Sequence, residues 1–201
     1  MTSSSTARRT ARLRLDPLTP ADAEDVLRVY GDPDTWRHLP EGRLTGIDQA
    51  LEHIESSERS LREHGLGTWA VRVDAAGADA SLPEGAFIGS GGLRYLDDGD
   101  VWNLGYRLEP RAWGRGLATE IAVATLEAAA EVAPHVPVTG RVLANNPASV
   151  AVLEKLGFTL VWEGPRANVP APEDGSTPPL RRVYSDRALT PTAYDWLVAH
   201  A

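Results

Sequence analysis

Seven segments have the short, turn-bounded, apolar-rich pattern of β-strands: 12–18, 68–73, 86–96, 101–108, 137–144, 158–164 and 181–190. The run VWNLGYRL (101–108) alternates most clearly. Its even-numbered residues are apolar or aromatic and face one side, while Asn103, Gly105 and Arg107 face the other. Gly105 interrupts an otherwise regular strand, which predicts a bulge or a close approach of another backbone.

Helical spacing separates these strands. Thr19 and Pro20 open a helix that Gly31 ends, and a second helix runs from near Thr45 to Gly65. The remaining helices are predicted at 118–132, at 147–156 after the Asn146 cap, and at 194–198. The helix 118–132 carries its only charges on one narrow stripe, so we expect it to be mostly buried.

The order of elements predicts a mixed α/β (α+β) fold with one central, mostly antiparallel sheet flanked by helices. The strand-helix-strand unit across 101–144 predicts a parallel pair within it. Residues 12–201 are predicted to form a single domain behind a flexible tail, 1–11. The segment 165–180 holds five prolines in sixteen residues and is predicted to be a long loop.

Composition narrows the function classes. The net charge of −8 argues against a nucleic-acid partner, and the chain has no cysteine for a thiolate metal site or a cysteine-linked intermediate. No apolar run approaches the ~20 residues of a membrane span, and the start lacks the apolar core of a signal peptide. We therefore expect a cytoplasmic monomer or homodimer that binds neither membrane nor metal. The single lysine and many alanines indicate a GC-rich bacterial gene.

The stretch WGRGLATE (113–120) places two glycines between a strand and an apolar helix. Glycines before a helix allow an anion to approach its unpaired N–H groups. A nucleoside-triphosphate loop would need Lys-Ser or Lys-Thr where Leu117 and Ala118 stand. A dinucleotide fingerprint would need a third glycine where Thr119 stands, and an acid further on that is missing. A tight turn without a ligand remains a third interpretation.

The paired segments EPRAWGRGLATE (109–120) and NNPASVAVLEKLGF (145–158) resemble the GNAT superfamily of acyl-CoA N-acyltransferases. Within it, they are most similar to the ribosomal-protein N-terminal acetyltransferases. The resemblance covers nearly the whole chain, because the element order fits as well. It implies a GNAT-like fold in which the parallel strand pair splays apart, with a bulge near Gly105.

The resemblance also implies an acetyl-CoA site. The glycine turn could be aligned from Arg111, but the family spacing starts it at Trp113, where the ribosomal branch often has tryptophan. It implies that the turn binds the pyrophosphate through its backbone amides, helped by Arg115, and that the pantetheine arm enters the splayed strands beside Tyr106 and Leu108. The implied cofactor-binding residues are Leu108, Trp113, Gly114, Arg115, Gly116, Leu117, Ala118, Thr119 and Asn146.

Three residues carry the implied catalysis. A backbone N–H near Tyr106 is expected to stabilise the oxyanion, and Ser149 is expected to protonate the departing thiolate. A small residue in a tight helix also explains Ser149, as a helix cap explains Asn146. The tyrosine that many family members place in this helix is replaced by Leu153, which puts a tyrosine acid there in doubt.

The general base is the third catalytic assignment. Family members often use a carboxylate near the start of the central strand, where this chain has Asp98 and Asp100; Asn103, further along, cannot accept a proton. We assign Asp100, with His38, Glu41 or water as alternatives.

The function expected from these observations is transfer of an acetyl group from acetyl-CoA to a primary amine without a covalent acyl-enzyme. The acceptor is a protein N-terminus or, alternatively, a small molecule such as an antibiotic or polyamine. A non-catalytic acyl-CoA-binding module is a further alternative, since the base is not marked by a motif. The acceptor loops 31–46 and 165–180 carry no motif that names the amine.

Overall fold

The structure is a computed structural model that describes residues 7–37, 39, 42–167 and 178–201. Its strands form an eight-stranded sheet in the order β1-β2-β3-β4-β5-β6-β8-β7. The strands are β1 (Arg8–Arg9), β2 (Leu13–Pro17), β3 (Thr68–Val73), β4 (Phe87–Leu96), β5 (Val101–Leu108), β6 (Val138–Leu143), β7 (Thr159–Gly164) and β8 (Arg181–Ser185). The mixed α/β fold predicted from the sequence is confirmed.

Every neighbouring pair in this sheet is antiparallel except β5 and β6. This parallel pair is short: it runs from Trp102, opposite Val138, to Leu104, opposite Gly140. Beyond Leu104, β5 continues to Leu108 along β4 alone, while β6 continues to Leu143 along β8. The middle of the sheet therefore opens into a gap from Gly105 onwards, so the predicted splay of the parallel pair is confirmed.

The helices are α1 (Ala23–Gly31), α2 (Pro33–Trp36), α3 (Ile47–His64), α4 (Leu117–Val132), α5 (Pro147–Lys155) and α6 (Pro191–Ala199). Sequence signals account for most of their ends. Gly65 adopts φ 86° after α3, and the Thr190 side chain accepts a hydrogen bond from Ala193 N–H at the start of α6.

The two faces of the sheet are covered differently. Helices α4 and α5 pack on the face that carries Trp102 and Leu104, where a Cβ on Gly140 would lie 2.6 Å from Leu153. On the opposite face, α1 and α3 cover Ala70 and Phe87, and α6 covers Val101. The part of that second face between α1 and α6 carries the odd-numbered side chains of β5.

Several predicted boundaries need correction. The strand predicted over 181–190 ends at Ser185, because the Ser185 hydroxyl donates to the Arg187 carbonyl and turns the chain. Arg8–Arg9, within the predicted flexible tail, pairs with β2, while residues 1–6 lie outside the described part. Most of the proline-rich segment, residues 168–177, is also outside it. No helix in the described ranges has the length and apolar character needed to cross a bilayer.

Candidate functional site

The glycine turn lies between β5 and α4, at the open end of the gap. Gly114 and Gly116 have φ 72° and 75°, which is left-handed backbone that favours glycine. Apart from its sequence neighbours, no described residue has an atom within 4 Å of where a Gly114 Cβ would stand, and near Gly116 the one such atom is an Arg12 nitrogen, at 3.8 Å. The space in front of the helix is therefore open.

The first turn of α4 offers unpaired donors to this space. The Glu120 N–H donates to the Gly116 carbonyl at 3.1 Å, so the N–H groups of Leu117, Ala118 and Thr119 precede the helical ladder. The helix dipole adds a partial positive charge at the same place. Backbone groups can thus attract an anion here although the protein as a whole is acidic.

The two arginines beside the turn already form ion pairs with carboxylates of the protein. The Arg115 guanidinium binds Asp79 and Ser81, and this pairing, with backbone donors, holds the pKa of Asp79 well below its usual range. Arg12, which the sequence analysis did not consider, donates to the Arg115 carbonyl at 2.9 Å and pairs with Glu120. Arg12 and Arg115 therefore both border the turn, but each already has a carboxylate.

Backbone N–H and C=O groups along the free edge of β5 point into the gap. The Trp102 N–H donates to Pro137 on the β6 side at 2.9 Å. Since alternate residues of a strand direct their N–H and C=O groups to the same edge, those of Tyr106 and Leu108 also point towards β6. Leu108 uses its carbonyl to accept from Trp113 Nε1 at 2.7 Å. Tyr106 has no residue of β6 opposite it.

Gly105 itself is not a bulge, and that sequence expectation is wrong. Its pairing with Gly92 of β4 is in register with the pairs on either side. Among the described residues, a Cβ at this position would meet only Asn103, at 3.9 Å, so no second backbone from that part of the chain approaches closely either. Gly105 instead leaves an exposed, uncrowded site where the two strands separate.

Ser149 and Tyr106 meet beside the gap, on the face covered by α4 and α5. Burial raises the pKa of the Tyr106 phenol, and the nearby Ser149 side chain opposes that shift. The phenol oxygen is buried, yet no hydrogen bond of ordinary geometry reaches it from the described residues. Such an unsatisfied hydroxyl is costly unless a ligand completes it.

Asn146 caps helix α5, as the sequence predicts. Its Oδ1 accepts a hydrogen bond from the Ser149 N–H at 3.2 Å. Leu153, one turn further, is buried and packs on Gly140. The structure therefore brings Asn146 and Ser149 to the gap and turns Leu153 away from it.

The acidic residues considered for the general base lie at the start of β5, as the sequence predicts, and this is the end of the strand away from the gap. Asp100 occupies a left-handed turn before β5, and its carboxylate accepts a hydrogen bond from the Tyr95 hydroxyl. Gly105 lies five positions further along the chain, which corresponds to roughly 16 Å in a strand. Asp98 is in the same turn, and the alternatives His38 and Glu41 lie outside the described residues.

Sequence reasoning missed a group of arginines on the second face of the sheet. We call Arg94, Arg107, Arg141 and Arg181 the arginine cluster. The register places Arg94 opposite Asn103 and Arg181 opposite Leu143, so the four side chains emerge on one face. The available signal was the polar position within buried strands, such as the arginine in VTGRVLA. The described residues contain no group of three or more His, Asp and Glu arranged for a metal ion.

Comparisons with known proteins agree with this geometry. Residues 12–159 match the family described as Acetyltransferase (GNAT) domain. The chain is 29% identical over 161 residues to the FsC-acetyl coenzyme A-N(2)-transacetylase of Aspergillus fumigatus, covering 76% of this chain and 64% of the fungal protein, just under two thirds of its length.

Two solved structures illustrate the shared fold. An acetyltransferase from Agrobacterium tumefaciens superposes with a TM-score of 0.68 at 24% identity, covering 90% of this chain and 94% of the other. The ribosomal L7/L12 alpha-N-protein acetyltransferase RimL, in complex with coenzyme A, superposes with a TM-score of 0.67 at 15% identity, covering 92% and 97%. The protein described here belongs to the GNAT family of N-acetyltransferases.

Proposed function

We propose that the protein transfers an acetyl group from acetyl-CoA directly to a primary amine. The observation that carries this proposal is the gap between β5 and β6, which starts at Gly105 and ends at the glycine turn. A long, thin acyl thioester with a phosphate-rich end fits a slot of that form. Coenzyme A in the RimL complex and the name of the fungal relative support the same cosubstrate.

In this proposal the pyrophosphate lies on the backbone amides from Gly114 to Thr119. The pantetheine arm lies along the free edge of β5, where Tyr106 offers backbone groups without a strand partner. Trp113 is 46% exposed beside the turn and provides an apolar wall. Arg115 contributes only if the ligand competes with Asp79 for its guanidinium.

The chemistry is one displacement in a ternary complex. The amine nitrogen attacks the thioester carbon, the C–N bond forms, the C–S bond breaks, and the nitrogen loses a proton. The Tyr106 N–H stabilises the developing oxyanion. The thiolate takes a proton from Ser149, beside the Tyr106 hydroxyl, and Ser149 regains a proton from the solvent that accepted the amine's proton.

Water is the proposed proton acceptor for the amine. Asp100 was assigned this role from the sequence, but its position in the turn before β5 gives that assignment no support. Membership of an acetyltransferase family favours an enzyme over a non-catalytic acyl-CoA-binding module. A protein N-terminus and a small-molecule amine are both compatible with the proposed reaction.

The test is a screen of primary amines and N-terminal peptides with acetyl-CoA, with release of free thiol as the readout. Mass spectrometry of the protein after incubation with acetyl-CoA alone should show no stoichiometric adduct, because the chain has no cysteine to carry one. An acetyl adduct that forms and passes to amine at the rate of turnover would contradict direct transfer.

A further inference from the structure

The arginine cluster differs from most other arginines of the protein in its partners. Arg28 binds Glu109 and Arg72 binds Asp22, each with a carboxylate. In the described part of the chain, none of the four cluster arginines lies within ion-pair distance of a carboxylate, although all but Arg94 are half-buried. Like charges gathered on one face without a counter-ion are costly, so the arrangement calls for an anion.

The partners that the cluster does have are neutral. Arg107 donates to the Gly42 carbonyl at 2.7 Å and stacks over the Tyr30 ring at 4.4 Å. Arg141 donates to Asn103 Oδ1 at 3.3 Å and to the His200 carbonyl at 2.9 Å. These contacts hold the Arg107 and Arg141 guanidinium groups in place, and no carboxylate among the described residues balances their charge.

Two members of the cluster, Arg141 and Arg181, show the electrostatic cost of this arrangement. Burial lowers the pKa of Arg141, and the charge of Arg94 lowers it further. Burial, then Arg141 and Arg166, lowers the pKa of Arg181 to about 10, and the Arg181 Nε is buried without a hydrogen-bond partner among the described residues. The buried donor and the mutual repulsion indicate a site that a negative group would complete.

The location connects the cluster to the reaction. In β5, Asn103 and Arg107 flank Gly105 on the same face, each two residues away, which is roughly 7 Å. The opposite face at this point is filled by α4 and α5. An amine that reaches the thioester through the second face must therefore pass the arginine cluster.

We propose that the acceptor of this acetyltransferase is a primary amine that also carries an anionic group, a carboxylate or a phosphate, and that the arginine cluster binds that group. This inference rests on the proposed function, since it assigns the acceptor of the same reaction. Guanidinium groups bind both kinds of anion through paired N–H donors, so the cluster fits either one.

The experiment compares matched acceptors at saturating acetyl-CoA. The pairs are β-alanine with its amide, O-phosphoethanolamine with ethanolamine, and a short C-terminally amidated peptide with aspartate in second position with its asparagine counterpart. In the wild type, we expect kcat/KM to favour the anionic member of at least one pair by about tenfold or more. Which pair responds identifies the source of the anion.

Two variants assign the preference to the cluster. Arg94→Gln and Arg141→Gln should each raise the KM of the anionic acceptor by about tenfold and leave kcat, and the KM of the neutral member, nearly unchanged. Arg59→Gln is the matched control, because Arg59 is exposed on α3 and its ion-pair partner is Glu55 of the same helix. Acetyl-CoA affinity, measured by calorimetry, should be the same in all four proteins.

The outcomes separate this inference from the proposed function. Equal use of both members of every pair overturns the anionic acceptor while acetyl transfer stands, and a parallel loss of acetyl-CoA affinity in the arginine variants reassigns the cluster to the cosubstrate. A wild type that binds no acetyl-CoA overturns the proposed function. If no amine is acetylated, the test is binding of succinate or inorganic phosphate to the CoA-loaded protein. Binding that both variants lose supports an anion site at the cluster. A wild type that binds neither anion overturns the inference.

Discussion

The glycine turn and the arginine cluster are both suited to anions, but they are built from different parts of the chain. The turn uses consecutive residues, Gly114 to Thr119, and its donors are backbone N–H groups at the start of α4. The cluster uses side chains from four strands, and no two of its members are adjacent in sequence. One site is local and carries only a partial charge, whereas the other is assembled by the sheet and carries full charges.

This contrast bears on selectivity. A backbone site is insensitive to most side-chain substitutions and suits a ligand that is the same for every member of a family. A side-chain site changes with single substitutions and suits the substrate that differs among them. The gap at Gly105 lies between the two sites, so in the proposed reaction the thioester carbon and the amine nitrogen would meet between them.

The largest expected effect comes from Gly116→Glu, which removes the backbone site. The new side chain would occupy the open space before α4, and its charge would repel the pyrophosphate. Its calorimetric Kd for CoA should rise by about 100-fold or more, equivalent to about 2.7 kcal/mol. The matched control is Gly85→Glu, since Gly85 also has positive φ, 78°, and an uncrowded, exposed position. Unchanged CoA affinity in Gly116→Glu would show that the turn binds no phosphate.

The next effect concerns the hydroxyl pair at the gap. Ser149→Ala should lower kcat by about 10- to 100-fold, a loss of about 1.4–2.7 kcal/mol of transition-state stabilisation, with little change in acetyl-CoA affinity. Tyr106→Phe should lower kcat less and leave stability nearly unchanged, because its hydroxyl has no partner to lose among the described residues. Ser56→Ala on α3 serves as the control. Full turnover in Ser149→Ala would mean that solvent protonates the thiolate.

The smallest expected effect is a pH dependence of stability that arises from His53. It reports the positive electrostatic potential that the arginine cluster produces. Burial, then Arg94 and Arg107, lowers the pKa of His53 to about 4, and its ring also contacts Tyr30. The unfolded state then binds the proton more readily than the folded state, so stability is greatest above the unfolded pKa and falls as the pH falls below it. We expect a loss of about 1.5 kcal/mol between about pH 6.5 and 5, measured by urea unfolding.

The matched variants His53→Gln and His135→Gln sharpen that measurement. His135 is exposed, so its replacement should leave the pH dependence as it is, whereas His53→Gln should remove this component. Saturation with an anionic acceptor should raise the pKa of His53, because a bound anion offsets Arg94 and Arg107. An ordinary His53 titration in the free protein would contradict the positive field.

The elements of the fold were largely predictable, because alternation, caps and glycines are local signals. The strands around Trp102 and the helix after Gly116 were placed within a residue or so of their observed bounds. The short strand at Arg8–Arg9 was not, since two arginines show no apolar pattern and the strand depends on pairing with β2 and on Glu131. The glycine turn was predicted together with its open N–H groups, but the engagement of Arg115 by Asp79 was not.

Local chemistry thus determined the parts of this protein that depend on neighbouring residues. The glycines before α4, the Asn146 cap and the alternation along β5 each follow from steric and hydrogen-bonding rules that act within a few residues. Tertiary structure decided the rest: that Tyr106 meets Ser149, and that Arg94, Arg107, Arg141 and Arg181 share one face. Those juxtapositions depend on strand order and register, which residues distant in the chain establish only when they pack together.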